Sequence, residues 1–165
     1  MQLNIIILLL ATMTTGLMAG LFFAWSFSVT TGLSKLSDTN YIEAFQSLNK
    51  AILNPAFALI FWGAILSLPL ATILHYQEPS SGIFWSLLIA TLVYLIGSIA
   101  VTFAGNIPLN NSLEVFQLDS SSSEEIKLRR TTFESRWNRL NMIRTISSTI
   151  AFIVLIIACI KIYMK

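Results

Sequence analysis

Trp137, Asn141, Arg144 and Ser148 recur at i, i+4, i+7 and i+11, which places an indole, an amide, a guanidinium and a hydroxyl on one face of a helix. Such groups can bind through charge, hydrogen bonds and a flat apolar surface. The guanidinium supplies fixed charge, the amide a donor and an acceptor, and the indole a flat surface. Thr149 to Met164 is almost wholly apolar, so this face lies where a charged helix enters a membrane span. Lipid offers no hydrogen bonds, so an arginine and an asparagine there need partners from the rest of the chain. The blander reading makes Arg144 an anchor that snorkels to the interface and Trp137 a belt residue.

The helix carrying this face has a marked start. Ser122 and Glu125 have the spacing of a capping box, and no Gly or Pro follows to the end of the chain. An unbroken helix of roughly forty residues is about 60 Å long against a hydrocarbon core of about 30 Å. About half of it is expected to stand outside the membrane.

Composition agrees. Hydrophobic residues make up 55% and charged residues 11% of the chain, against about 25% charged in a soluble domain. The net charge of +2 gives no basis for nucleic-acid binding. A single cysteine, Cys159, excludes an intrachain disulfide, and a single histidine, His75, excludes a multi-histidine metal site. No metal site is expected. No dinucleotide fingerprint, Walker sequence or Glu-xx-His di-iron pair occurs, so no cofactor is specified.

Four spans follow, at about 3–29, 55–75, 83–104 and 142–162, in one integral membrane domain covering residues 1–165. The expected fold is all-α: a four-transmembrane-helix bundle whose long last helix projects into the cytoplasm. Ala11, Thr15, Gly16, Ala19 and Gly20 form a small-residue stripe on the first span, with a Gly16-xxx-Gly20 spacing suited to close packing. Tyr41, Phe45, Leu48 and Ile52 share a face, predicting a short amphipathic helix between spans 1 and 2 that lies on the membrane or the bundle. Asn54-Pro55 opens span 2, and Pro69 is expected to kink it. Glu78 is the only charge in the turn before span 3. Gly105 and Pro108 are expected to end span 3, with a further short helix over 111–118. Acidic residues such as Asp38 and Glu114 read as solvated loop charges, and Glu134 as a surface partner of Arg130 or Asn138.

Lys35, Lys50, Lys127, Arg129, Arg130, Arg136, Arg139 and Arg144 fall on the side of the first and third connections, against Lys161 and Lys165 on the other. That asymmetry predicts cytoplasmic long loops and outward termini in a bacterial inner membrane.

Five segments, Gly20-Leu-Phe-Phe-Ala-Trp-Ser26, Gln46-xx-Asn49, Asn54-Pro55, Gly105-Asn-Ile-Pro-Leu-Asn110 and Trp137-Asn-Arg-Leu-Asn-Met-Ile-Arg144, resemble the anthrone oxygenase-like family of small integral membrane proteins. The resemblance runs from the first span to the last and implies a four-helix membrane topology. It also implies oxidation of an anthrone to an anthraquinone, the activity named for fungal polyketide-pathway members. In the topology above, these segments converge on one layer at the cytoplasmic ends of the spans. Two readings follow. In the first, the protein is a membrane-embedded oxidoreductase acting on an apolar aromatic or quinone-type molecule that enters from the lipid. Arg144 and Asn141 then serve as catalytic residues, and Trp25, Ser26, Asn54, Asn106, Asn110 and Trp137 bind substrate. No general base is evident. In the second, it is a non-enzymatic binder, transporter subunit or assembly factor for a lipophilic molecule, with oligomers possible.

Overall fold

The computed structural model describes residues 2–77 and 82–164, and all its regular elements there are helices. Five run in order: α1 (Leu3–Leu33), α2 (Asp38–Ile52), α3 (Pro55–Leu74), α4 (Ile83–Glu114) and α5 (Ser123–Tyr163). All except α2 are long and apolar enough to cross a membrane. Their outer faces are apolar as well: Leu59 is 76% exposed, Leu66 67%, Ile96 66% and Ile153 51%. Side chains of that kind pointing outward from every span need lipid around them. Glu78 falls outside the described residues.

Each helix start has a local cause. Ser37 caps α2 by accepting from the amide of Asn40, and Asn54 caps α3 by accepting from that of Phe57, with Pro55 in the first turn. The Ser122–Glu125 capping box forms, and α5 then runs unbroken for 41 residues. α3 continues as a helix through Pro69 to Leu74.

Two expectations about span ends fail for one reason. α4 does not stop at Gly105, and Pro108 starts no loop; the helix continues to Glu114. It does so by widening into π turns at Leu95–Ala100 and Thr102–Asn106, just before Pro108. A wider turn accommodates a residue that lacks an amide hydrogen and crowds the preceding turn. α1 widens in the same way at Trp25–Val29 and runs on to Leu33. The short helix expected over 111–118 is thus the end of α4.

The packing has two cores. One lies within the spans and includes Leu8, Met18, Phe22, Leu68, Leu87, Tyr94 and Leu155. Gly16 meets the ring of Phe152 on α5, and Ala11, Thr15 and Ala19 of the same stripe are buried, whereas Gly20 is exposed with nothing within 4 Å of its added Cβ, so the small-residue stripe packs inside the bundle except at Gly20. The second core gathers Trp25, Tyr41, Ile42, Phe45, Leu113, Phe133 and Trp137, so α2 lies against the bundle. Arg130 clips the two together: it donates to the carbonyls of Ser34 and Leu36 and pairs with Asp38 and Glu134. The Arg130–Glu134 pairing is as read from the sequence. Asp38 is not a free loop charge, and neither is Glu114, which meets Lys50 at 2.8 Å. Above the Arg130 clip, burial and Glu134 raise the Tyr41 phenol well above its usual range.

Candidate pocket at the junction of the two cores

Where the cores meet, a cavity of about 460 Å³ opens among α1, α2, α3, α4 and α5, within the size range of small-molecule sites. Its walls are aromatic: Phe22 and Trp25 from α1, Phe45 from α2, Phe57 and Phe61 from α3, Phe103 from α4 and Trp137 from α5. Trp25, Phe45 and Trp137 pack mutually with ring centres 5.0–5.5 Å apart. Trp25 is 9% and Trp137 4% exposed, so neither is a belt residue facing lipid.

Arg144 forms the polar floor. It is buried, with its guanidinium 4.4 Å from the centre of the Phe22 ring and 5.4 Å from that of Trp137. Nη2 donates to Asn141 Oδ1 at 2.6 Å and Nη1 to Thr102 Oγ1 at 3.4 Å, while Nε has no partner among the described residues. No carboxylate pairs with it there, since the salt bridges formed involve only Lys50 and Arg130. Asn54, Asn106, Asn110 and Ser26, the other polar residues of this layer, do not accept from Arg144. Asn54 spends its side chain on capping α3 and on the carbonyl of Ala51. Asn110 accepts from Trp137 Nε1 at 2.8 Å and so orients the indole.

Asn106 is the exception. It lines the pocket, is 1% exposed, and neither Oδ1 nor Nδ2 has a partner among the described residues. It sits in the π turn of α4 rather than in a tight turn, so its amide closes no loop. Buried amide groups almost always find partners, so one open on both atoms points to a polar occupant.

Behind the floor stands a supporting layer. Asn141 is fully buried and donates to Ser26 Oγ at 2.7 Å and to the Phe22 carbonyl at 3.3 Å. Thr145 donates to the same carbonyl and lies 2.8 Å from Ser26 Oγ. These bonds fix the amide that fixes Arg144. Of the eight residues singled out in the sequence, Trp25, Asn54, Asn106, Asn110, Trp137 and Arg144 line the pocket, whereas Ser26 and Asn141 stand one layer back. Gln46, part of the family pattern, bonds the carbonyls of Leu113 and Phe116 and ties α2 to α4. Sequence reasoning missed Phe22, Phe45, Thr102, Phe103, Phe57 and Phe61. For the last two a signal existed, because Asn54-Pro55 is followed by rings at i and i+4 on one helical face. No group of three or more metal-ligating residues occurs among the described residues.

Fold and site together define a multi-pass helical membrane protein with an aromatic pocket floored by a buried arginine. Residues 44–154, well over half of the chain, match the anthrone oxygenase family, and the chain belongs to that family. No curated protein and no solved structure matches it.

Proposed function

We propose that the protein is a membrane-embedded oxidoreductase that converts a lipophilic, anthrone-type aromatic molecule to the corresponding quinone with dioxygen. The observation that carries this reading is the pairing of Arg144, buried with no carboxylate partner among the described residues, with the Asn106 amide, open there on both atoms, inside an aromatic pocket. A buried cation favours an anionic occupant, and the rings favour a flat one. An anthrone loses a proton from its methylene to give an enolate. Dioxygen then adds at that carbon, and loss of water leaves the second carbonyl, so anthrone plus O₂ gives anthraquinone plus H₂O. Arg144, held by Asn141, stabilises the oxygen on which charge develops. Trp25 and Trp137, packed on each other, form one wall against which the rings lie, Asn106 binds a polar edge, and Ser26, Asn54 and Asn110 position these groups.

Entry is from the bilayer. Phe57, Trp62 and Phe103 line both the pocket and its lipid-facing rim; Trp62 is 52% and Phe103 48% exposed. The Phe61 and Phe103 rings, 6.2 Å apart, bridge α3 and α4 across the opening.

One observation favours the second reading, a binding protein without turnover. No Asp, Glu, His, Lys or Tyr lines the pocket, so no base touches the ligand. Purified protein supplied with 1,8-dihydroxyanthrone and dioxygen separates the two. Catalytic formation of the anthraquinone, followed by its absorbance, supports the oxidoreductase. Stoichiometric binding with no acceleration over buffer leaves a binder, and no binding overturns both.

A further inference from the structure

Tyr94, Ser98, Thr102, Asn106 and Asn110 recur every four residues along α4, and the first four are buried, at 0%, 0%, 7% and 1% exposure. In a regular α-helix, steps of four drift by about 40° each around the axis. The wider π turns at Leu95–Ala100 and Thr102–Asn106 unwind that drift, so all four polar side chains stay inside the bundle. Tyr94 Oη and Ser98 Oγ, like Arg144 Nε, have no partner among the described residues. Phenylalanine would fill the place of Tyr94 without stranding a buried hydroxyl.

The line continues past Tyr94. One turn back, Thr91 hydrogen-bonds Thr72 of α3 at 2.7 Å, with both residues 6% exposed. One turn beyond Thr72, His75 closes α3 at the far end of the bundle, 4% exposed. Its Nδ1 lies 2.8 Å from the carbonyl of Ala71. A carbonyl only accepts, so Nδ1 carries the proton and Nε2 keeps a lone pair.

We propose that this line is the route by which the ligand's proton leaves the pocket, passing through Thr102, Ser98 and Tyr94 to Thr91, Thr72 and His75. The proposal rests on the function above and supplies the base that the pocket walls lack. The ligand's acidic C–H bond breaks, and its electron pair stays on the ligand as an enolate whose oxygen Arg144 holds. Each hydroxyl takes one proton and passes on its own, and His75 Nε2 takes the last. His75, itself buried, then yields its proton to water reaching it past the exposed Tyr76 and Gln77, and no electron moves along the line. Thr91 and Thr72 meet directly, Thr102 Oγ1 donates to the backbone carbonyl of Ser98, and the remaining steps of the proposed route each need one intervening water.

Tyr94, Ser98 and His75 are relay residues that do not touch the ligand, and the test must separate relay from structure. Full-length protein in detergent is mixed with 1,8-dihydroxyanthrone without dioxygen. Tryptophan quenching reports binding, and the anion's absorbance reports deprotonation, in H₂O and in D₂O. Tyr94→Phe and His75→Gln should bind the anthrone as tightly as wild type, while anion formation slows about a hundredfold and its solvent isotope effect changes. Ser98→Ala should slow it likewise, whereas Ser98→Thr, which keeps the hydroxyl, restores the rate. Wild-type rates and isotope effects in both Tyr94→Phe and His75→Gln would overturn the route while leaving the pocket intact. Failure of the wild type to bind the anthrone would overturn the proposed function, and the route with it.

Discussion

At the scale of single residues, the site depends on one unpaired charge. A buried guanidinium without a carboxylate is unfavourable in the empty protein and becomes favourable with an anion beside it. Arg144→Leu should therefore reach the membrane at normal or higher yield, because it removes a charge that costs about 2.5–3.5 kcal/mol at a span's centre, and less towards its end. The same change should weaken binding of an anthrone by about tenfold to a hundredfold, the loss of one or two charge-assisted hydrogen bonds. Arg144→Lys keeps the charge but loses the planar fork that meets Asn141 and Thr102 together, so it should fall between the two. Membrane yield with titrated binding measures both effects, and full binding by Arg144→Leu would reduce the residue to a topological anchor. Asn106→Leu, by contrast, should raise the thermal stability of the ligand-free protein, since it replaces an amide with both atoms unpartnered, and should also lower affinity. Unfolding in detergent with and without ligand reads both signs. Much of this polar set was legible in the sequence, because Trp137, Asn141 and Arg144 share a helical face whatever the tertiary structure. Asn106 was visible only as a residue near a Gly and a Pro, and its unpaired state depends on which neighbours reach it. The aromatic wall was not legible, because in a chain with eleven phenylalanines the type alone does not separate a pocket ring from a lipid-facing one.

At the scale of elements, the long last helix and the interrupted third one behave oppositely, and the sequence exposes only the first. From Ser122 onward, cap, propensity and freedom from breakers all agree, and α5 runs as expected. In α4, Gly105 and Pro108 read as stop signals, yet packing against α5 keeps the helix going and the π turns absorb the misfit. Local propensity loses there to tertiary contact, which no single-sequence pattern reports. The contact is close enough to test. A Cβ on Gly97 would sit 2.5 Å from Ser147 Cβ, which cannot move without α5 itself. Gly97→Ala should therefore destabilise the bundle by about 1–3 kcal/mol, seen as a lower unfolding temperature. Gly20→Ala, with nothing within 4 Å, should leave it unchanged. Spin labels at the exposed positions Leu128 and Ile150 should lie about 33 Å apart along the axis of α5 in lipid, at about 1.5 Å per residue. A clearly shorter distance would mean that α5 bends where it leaves the membrane.

At the scale of the whole molecule, the two cores divide the protein into a part that lipid surrounds and a part that stands clear of it. The pocket lies at their boundary. Under the proposed function, that placement would serve a ligand that arrives from the bilayer and carries one polar edge, with its rings among Phe57, Phe61 and Phe103 and its oxygen at Arg144. Which side of the membrane this boundary faces follows from charge. Eight of the ten lysines and arginines lie at the pocket end or beyond it, and Lys161 lies at the other. Moving α2 and the outer half of α5 across a membrane would carry Lys35, Lys50, Lys127, Arg129, Arg130, Arg136 and Arg139 with them, which the positive-inside bias opposes. The pocket end should accordingly be cytoplasmic, with the His75 end and both termini outside. Single cysteines at the exposed positions Ser120 and Gln77, in a Cys159→Ala background, test this in intact cells with a membrane-impermeant maleimide. Gln77→Cys should label from outside, and Ser120→Cys only after the membrane is opened. The reverse pattern would invert the protein, placing the pocket and the long helix outside and directing the relay's proton inward. Labelling of both sites in intact cells would mean a mixed topology and would remove the charge asymmetry as its determinant.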